Sequence, residues 1–292
     1  HLKADVLIIG GGIVGASLLY ELAKYQMDIV LLEKEAEMSF GVSKANSGIV
    51  HTGFQSDPGA LKTSLAVRGN TLYKQLAKTL DFPLVPVGEL VVAFPGELEG
   101  LKRMKETGEQ LGIPGLEIVN RNWLDENEPN LSKEIQFALL GPSADVINPY
   151  ETVYALAEQA AVNGARIYCE HEVTGIQPSD GLWQVQTQKG FFTSRYVINA
   201  AGLYSDKIAM MAGMEVPRIL PWKGEEYLLD RHAKWLTKRV IFPLPRKETK
   251  GVLVIPTVDG NTMIGPTAEA VPDCEEHSTS RSGKLAVVTN VR

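Results

Sequence analysis

Residues 5–34, DVLIIGGGIVGASLLYELAKYQMDIVLLEK, read in order as a strand, a glycine turn, a helix and a second strand. Residues 6–9 are a short run of Val, Leu and Ile, the pattern of a strand buried on both faces. Gly10, Gly11 and Gly12 break the run, and Gly15 follows. Leu18, Leu19, Leu22 and Ala23 then repeat at helical spacing, and residues 29–32 form a second apolar strand that ends on Glu33. The unit has the length of one βαβ crossover, about thirty residues. Each glycine answers a separate need. Gly10 lets the chain turn sharply off the strand, Gly12 leaves room for a pyrophosphate against the backbone, and Gly15 lets the helix pack close to the sheet. The helix N-terminus, with Ile13 and Val14 in its first turn, offers free N–H groups and a partial positive charge to phosphate. Glu33, 23 residues after Gly10, is placed to accept hydrogen bonds from a ribose diol, and Lys34 follows it. An acid there disfavours a 2′-phosphate, so the expected ligand is FAD or NAD; the motif does not choose between them.

Composition narrows the classes. A chain of 292 residues suffices for one large domain or two intertwined ones. Hydrophobic residues at 44% and charged residues at 22% indicate a globular protein rather than a disordered one. A net charge of −6 without a basic stripe argues against a nucleic-acid partner. Cys169 and Cys274 lie far apart and there is no CxxC, which argues against a disulfide reductase and against a metal or cluster site; both are expected to be thiols. The apolar stretch at residues 6–19 is broken by glycine and too short to span a bilayer. The first strand begins almost at residue 1, so no signal peptide is expected and a cytoplasmic location is. A surface patch could still dock at the inner face of a membrane. The chain opens on His rather than Met, so its N-terminus is expected to be cut or engineered.

Residues 35–70 hold little regular apolar pattern, and so long a loop directly after the acid is uncommon unless it has a task. Ser43, Asn46 and Ser47 are small hydrogen-bonding residues suited to phosphate and ribityl oxygens. Gly48 and Gly53 let the backbone lie against a flat ring. His51 reads either as a loop histidine bonded to backbone carbonyls or as an acid–base group, since it titrates near working pH. The run SKANSGIVHTGF at residues 43–54, followed by PGALK at 58–62, resembles the second flavin loop of the D-amino-acid-oxidase superfamily. It is most similar to the branch of glycerol-3-phosphate and L-2-hydroxyglutarate dehydrogenases, where an NSG-x-(I/V)-H-x-G segment wraps the flavin. Residues 197–206, VINAAGLYSD, resemble the third flavin signature of that superfamily. A larger side chain at Ala201 or Gly202, next to Ala200, would then collide with the nucleotide. Residues 223–230, KGEEYLLD, and the pair KGVLVIPTVDGN at 250–261 and IGPTAE at 264–269 resemble its substrate-side strands, with residues 259–261 as the turn.

The resemblance implies an α/β fold: a Rossmann-like FAD-binding domain of the glutathione-reductase type, interleaved with an antiparallel-sheet substrate domain of α+β character. Residues 1–80 and 149–215 are assigned to the first, 81–148 and 216–270 to the second, and 271–292 to the start of a return to the first. The cofactor implied is FAD. In the family the residue matching Val173 holds the adenine edge by its backbone, so Val173→Ala should cost little; a packing valine predicts a packing loss instead. The activity implied is oxidation of glycerol 3-phosphate by hydride transfer to flavin N5. L-2-hydroxyglutarate or another 2-hydroxy acid, an amine or amino acid, and an inactive truncated fragment are the alternatives.

Candidate catalytic residues are His51 as base, with Lys223 and Tyr227 on the substrate side. On one regular strand Lys223, Glu225 and Tyr227 share a face. Lys223 then binds an anionic group or is simply solvated, and Tyr227 bonds the substrate or packs. Arg218, Arg231 and Arg246 are further anion-binding candidates. No second GxGxxG occurs, so the electrons must pass to an external acceptor such as a quinone, an iron–sulfur protein or oxygen. Helices are expected at residues 61–80, with Leu65, Leu72, Leu76 and Leu80 on or near one face, and at 98–111 and 150–163. Residues 190–193 read as half of a hairpin and 196–199 as a separate strand. Family members continue with a further Gly-rich strand and a helix N-terminus that close over the flavin, so the chain is expected to be truncated.

Overall fold

The computed structural model describes residues 2–245 and 251–291. The opening unit folds as strand β1 (Leu2–Ile9), helix α1 (Ile13–Leu22) and strand β2 (Ile29–Leu32). β1 lies inside a six-stranded sheet of order Val173–Ser179, Leu182–Thr187, Gly190–Asn199, β1, β2, Arg166–Tyr168. The last four of these run parallel, and the first two join them antiparallel. Ile9 pairs with Leu32 on one side and Asn199 on the other, so three parallel strands end level.

The unbroken apolar run of β1 is explained by cover on both faces. Val6 and Ile8 pack under α1 and helix Pro149–Val162, through Ala16, Leu19, Leu156 and Ala160. Leu7 and Ile9 pack on the other face with Val173, Ile176, Val185, Phe192 and Ile208. Helix Pro149–Val162 starts with proline in its first turn, and Asn148 caps it by accepting the Glu151 N–H at 3.3 Å.

A seven-stranded sheet has the order Tyr227–Leu228, Thr262–Gly265, Leu253–Pro256, Val240–Pro243, Glu89–Ala93, Phe137–Gly141, Glu117–Asn120. Its neighbours are antiparallel except Val240–Pro243, which runs parallel to Glu89–Ala93. Val91, Leu139 and Phe242 face one side with Leu101 of helix Leu98–Gln110; Leu90, Ala138 and Ile241 face the other with Leu124 of helix Arg121–Asn127. A three-stranded sheet of Ile49–Val50, Asp145–Ile147 and Leu84–Pro86 stands beside both.

Several expectations need correction. Residues 190–193 and 196–199 are not separate: Gly190–Asn199 is one strand, held straight by β1 on one edge and Leu182–Thr187 on the other. Residues 223–227 are not one strand either. Trp222–Lys223 pairs with Glu269–Ala270, whereas Tyr227–Leu228 pairs in the seven-stranded sheet. Helix Leu61–Leu80 spans the expected residues, but its leucines divide. Leu65 and Leu72 are 55% and 42% exposed, while Leu76 and Leu80 pack against the core. Arg246 lies outside the described residues.

Two substitutions test this packing. A Cβ on Gly15 would land on the Gly10 carbonyl oxygen. Gly15→Ala is therefore expected to lower the urea unfolding free energy by at least ~1–3 kcal/mol. Val173 is 6% exposed and sits in the core, so Val173→Ala is expected to cost about 1–3 kcal/mol in the same assay. Nucleotide affinity of the folded variant should stay at the wild-type value.

Candidate active site

The level strand ends place Gly10, Glu33 and Ala200 side by side, where open α/β sheets bind ligands. Gly10 donates its N–H to the Leu32 carbonyl at 2.8 Å, and Ala200 donates to the Ile9 carbonyl at 2.8 Å. Gly10 has φ +114°, and a Cβ there would land on the Ala200 carbonyl, so glycine is required twice over. Gly12 is the N-cap of α1 with ordinary extended backbone, and a Cβ on it would lie 2.9 Å from Ser43 Oγ. Its glycine thus makes room for Ser43. Gly202 (φ +55°) needs its glycine for conformation, because a Cβ there would point into open space.

The first turn of α1 carries neither an acidic residue nor a side-chain cap from its own N-cap position. Ser43 comes from the following loop and accepts the Ile13 N–H at 2.9 Å. Val14, one residue on, is 59% exposed. Helix-terminal amides without internal partners form an anion site. Glu33 is 9% exposed and accepts from the Gly11 N–H at 2.6 Å and the Glu35 N–H at 2.9 Å. A carboxylate has about four lone-pair sites, so acceptor capacity remains for a ribose diol. Lys34 lies 4.0 Å from the centre of the Tyr204 ring and ion-pairs with Glu35 and Glu275. Burial works against its charge, but Tyr204 and the two carboxylates hold its ammonium above the ordinary lysine range.

The loop after Lys34 connects this end to the seven-stranded sheet. Asn46 donates to the carbonyls of Val42 and Ser43 and accepts the Gly48 N–H, so it shapes the loop from within. Gly48 (φ +64°) turns the chain into strand Ile49–Val50. The His51 ring lies 5.7 Å from the Phe242 ring, centre to centre, at 49°. Thr52 and Gln55 donate to the two oxygens of Glu89, which is fully buried. Ser47 donates to Glu226. Asn70 supports the loop from helix Leu61–Leu80 by donating to the carbonyls of His51 and Ser143 at 3.2 and 2.8 Å.

Lys223 and Tyr227 do not join His51. Lys223 donates to the Ser278 carbonyl at 2.7 Å and lies 3.6 Å from Glu225 and 3.5 Å from Glu276. Tyr227 pairs with Ile264, Ile264 with Val254, and Val254 with Ile241. That row lies on the face opposite Phe242. Glu225, 5% exposed, accepts the Ser280 N–H and hydroxyl at 2.9 Å each, at the start of helix Arg281–Asn290. Gly11, Thr52, Glu89 and Glu226 were not anticipated. Glu89 had a signal: it begins a strand in which positions 89, 91 and 93 face one core, so a carboxylate there points inward. Among the described residues, no group of three or more His, Cys, Asp and Glu could hold a metal ion. No described helix is long and apolar enough to cross a membrane.

The level strand ends, the glycine turn under Ala200 and the start of α1 together have the form of a dinucleotide-binding crevice. Residues 5–288 match the family of FAD dependent oxidoreductases, and the chain belongs to that family. FAD is accordingly its cofactor. The glycerol 3-phosphate dehydrogenase of Caloramator mitchellensis is 40% identical over 289 residues, covering 99% of this chain and 60% of the relative. A mitochondrial L-2-hydroxyglutarate dehydrogenase of Nematostella vectensis is 31% identical, covering 90% of this chain and 62% of the relative. The chain therefore spans about 60% of the length of these relatives. Among solved structures, dithionite-reduced L-alpha-glycerophosphate oxidase from Mycoplasma pneumoniae with FAD bound superposes with a TM-score of 0.93 at 28% identity, covering all of this chain and 78% of that one.

The bonds from Ser280, its backbone N–H first, hold the Glu225 carboxyl below the ordinary 4.5, with Lys223 adding to them. A depressed acid contributes stability above its unfolded pKa and loses it as pH falls through the folded one. The urea midpoint of wild type should thus exceed that of Glu225→Gln by a constant margin from pH 7 to about 4.5, and the margin should close below it.

Proposed function

We propose that this chain forms most of the oxidation centre of an FAD-dependent dehydrogenase acting on a small secondary alcohol with an anionic group, glycerol 3-phosphate first. The observation that carries the reading is the loop of residues 43–55. It begins on the helix end suited to FAD phosphates, at Ser43, and delivers His51 to the face of the second sheet. The identity to a glycerol 3-phosphate dehydrogenase supports the substrate. L-2-hydroxyglutarate is the second reading, supported by the likeness to its dehydrogenases. We assign residues 1–80 and 149–215 to the FAD side and 81–148 and 216–270 to the substrate side.

The residues present fit the cofactor. The turn shaped by Gly10 and the helix start at Gly12, Ile13, Val14 and Gly15 would receive the pyrophosphate, with the Gly10 and Ile13 amides held by Leu32 and Ser43, and Glu33 would receive the ribose. Val173 would receive the adenine edge, and Ala200, Ala201 and Gly202 would bound the nucleotide. Ser43, Ser47 and Gly48 would lie along the wrap, with Asn46 shaping it. Bound FAD supplies the two-electron acceptor. His51 takes the hydroxyl proton while the carbinol carbon gives up its hydrogen with the electron pair, leaving the ketone; the substrate loses one proton and one hydride in all. The site holds no second nucleotide motif, so an external acceptor, a quinone, an iron–sulfur protein or oxygen, takes the electrons onward. Lys223 has no part in this scheme because its ammonium is engaged by Ser278, Glu225 and Glu276.

Anaerobic mixing with each candidate substrate tests the reading. Glycerol 3-phosphate is expected to bleach the flavin absorbance and L-2-hydroxyglutarate to leave it; the reverse selects the second reading, and no bleaching by either overturns both. His51→Asn is expected to slow bleaching by about 10²–10⁴-fold with FAD content unchanged, the scale of a lost general base.

A further inference from the structure

Ser47 Oγ donates to Glu226 Oε1 at 2.9 Å, joining the FAD-side loop to the substrate-side sheet. The register explains why this glutamate, and not its neighbour, reaches the loop. Tyr227 shares its row with Ile264, Val254 and Ile241, whose core lies away from His51. Glu226 directly precedes the paired residues Tyr227–Leu228, so its side is set by what it touches. Glu226 crosses Gly265, where a Cβ would come within 2.8 Å of Glu226 Cγ. Gly265 is paired with Leu253, and Leu253 shares its core with Phe242, the ring on which His51 rests. Glu226 is therefore on the His51 side.

The chemistry of the contact suits a fixed point. Glu226 is half-buried, and burial pushes its carboxyl up while the Ser47 hydroxyl pulls it back down. A partly buried carboxylate needs directed donors, and a hydroxyl donating to a charged acceptor makes one of the stronger side-chain bonds. Packing alone would hold the loop near the sheet without fixing which way Ser47 points. We propose that Glu226 is a positioning residue of the oxidation site, which orients Ser47 and through it the FAD-binding loop against the substrate-side sheet. The inference rests on the FAD reading above.

The test is a double-mutant cycle on FAD affinity. Ser47→Ala, Glu226→Ala, the double variant and Glu226→Gln are stripped of flavin and titrated with FAD by fluorescence, and urea midpoints of the apoproteins are recorded. Each alanine variant is expected to weaken FAD about tenfold, the scale of one bond to a charged group, and the double variant no further than the worse single. Glu226→Gln retains an acceptor and should recover most of the affinity with an apoprotein midpoint like wild type. Additive losses, unchanged affinities, or a glutamine variant as weak as the alanine one overturn the inference. A wild-type protein that takes up no FAD overturns the functional reading itself and this inference with it, which separates the two failures.

Discussion

Three parallel strands that end level leave little room for the chain segments that depart from them. Ile9, Leu32 and Asn199 stop at one height, and the residues after them must turn away in different directions. A Cβ on Gly10 would meet the Ala200 carbonyl, and one on Gly15 the Gly10 carbonyl. Strand, turn and helix are thus in contact at zero clearance, and Glu33 fastens the turn from the side through the Gly11 N–H. The consequence is chemical. Only a helix seated this closely brings its free amides to the sheet edge, and only a rigid turn holds them where a pyrophosphate can use them. This end of the sheet is a product of the packing rather than an addition to it.

The second constraint is the loop. A segment lacking regular structure can span two sheets only if its polar groups are satisfied on the way, since buried backbone and side-chain polar atoms are costly unpaired. Ser43 takes a helix amide, Asn46 closes a turn, Ile49–Val50 pairs with Asp145–Ile147, and Thr52 and Gln55 hold Glu89. Burying Glu89 is expensive, and removing its donors while leaving the charge would be more so. Such a contact disfavours a slipped arrangement, which would lose the Thr52 and Gln55 donors. His51 sits between strand Ile49–Val50 and this anchor, with its carbonyl held by Asn70. Its position is set from both sides in sequence and from behind.

What the sequence made legible follows the range of the interactions. The opening unit, the helix from Leu61 to Leu80 and the proline-led helix from Pro149 could be read because glycines, caps and local periodicity determine them. The loop of residues 43–55 was legible through its motif, not through any periodic pattern. Strand Gly190–Asn199 reads locally as two pieces because its continuity comes from its pairing with β1 and with Leu182–Thr187. Leu65 and Leu72 are exposed although their spacing sets them on or near one face with Leu76 and Leu80, because spacing tells which residues share a helix face but not what lies opposite it. Strands Phe137–Gly141 and Val240–Pro243 carry apolar residues on both faces, so no alternation announced them.

The segment at residues 222–227 shows the same limit at the site itself. Read locally it is one strand, and alternation places Lys223, Glu225 and Tyr227 together. In the fold Gly224 ends one short pairing and Tyr227 begins another, in a different sheet. Its charges then serve separate joints. Glu225 fills the N-terminus of helix Arg281–Asn290, where its negative charge meets the positive end of the helix and the Ser280 donors. A Cβ on Gly283 would strike that carboxylate, so the helix approaches as closely as its sequence allows. Lys223 balances Glu225 and Glu276, and Glu226 turns the other way to Ser47. Two adjacent glutamates thereby tie two different segments to the strands around residues 222–228, one helical and one looped. A regular strand could also send neighbours to opposite faces, but it would have carried Lys223 and Tyr227 onto one of them; the break at Gly224 separates them, and it is a feature of pairing rather than of propensity.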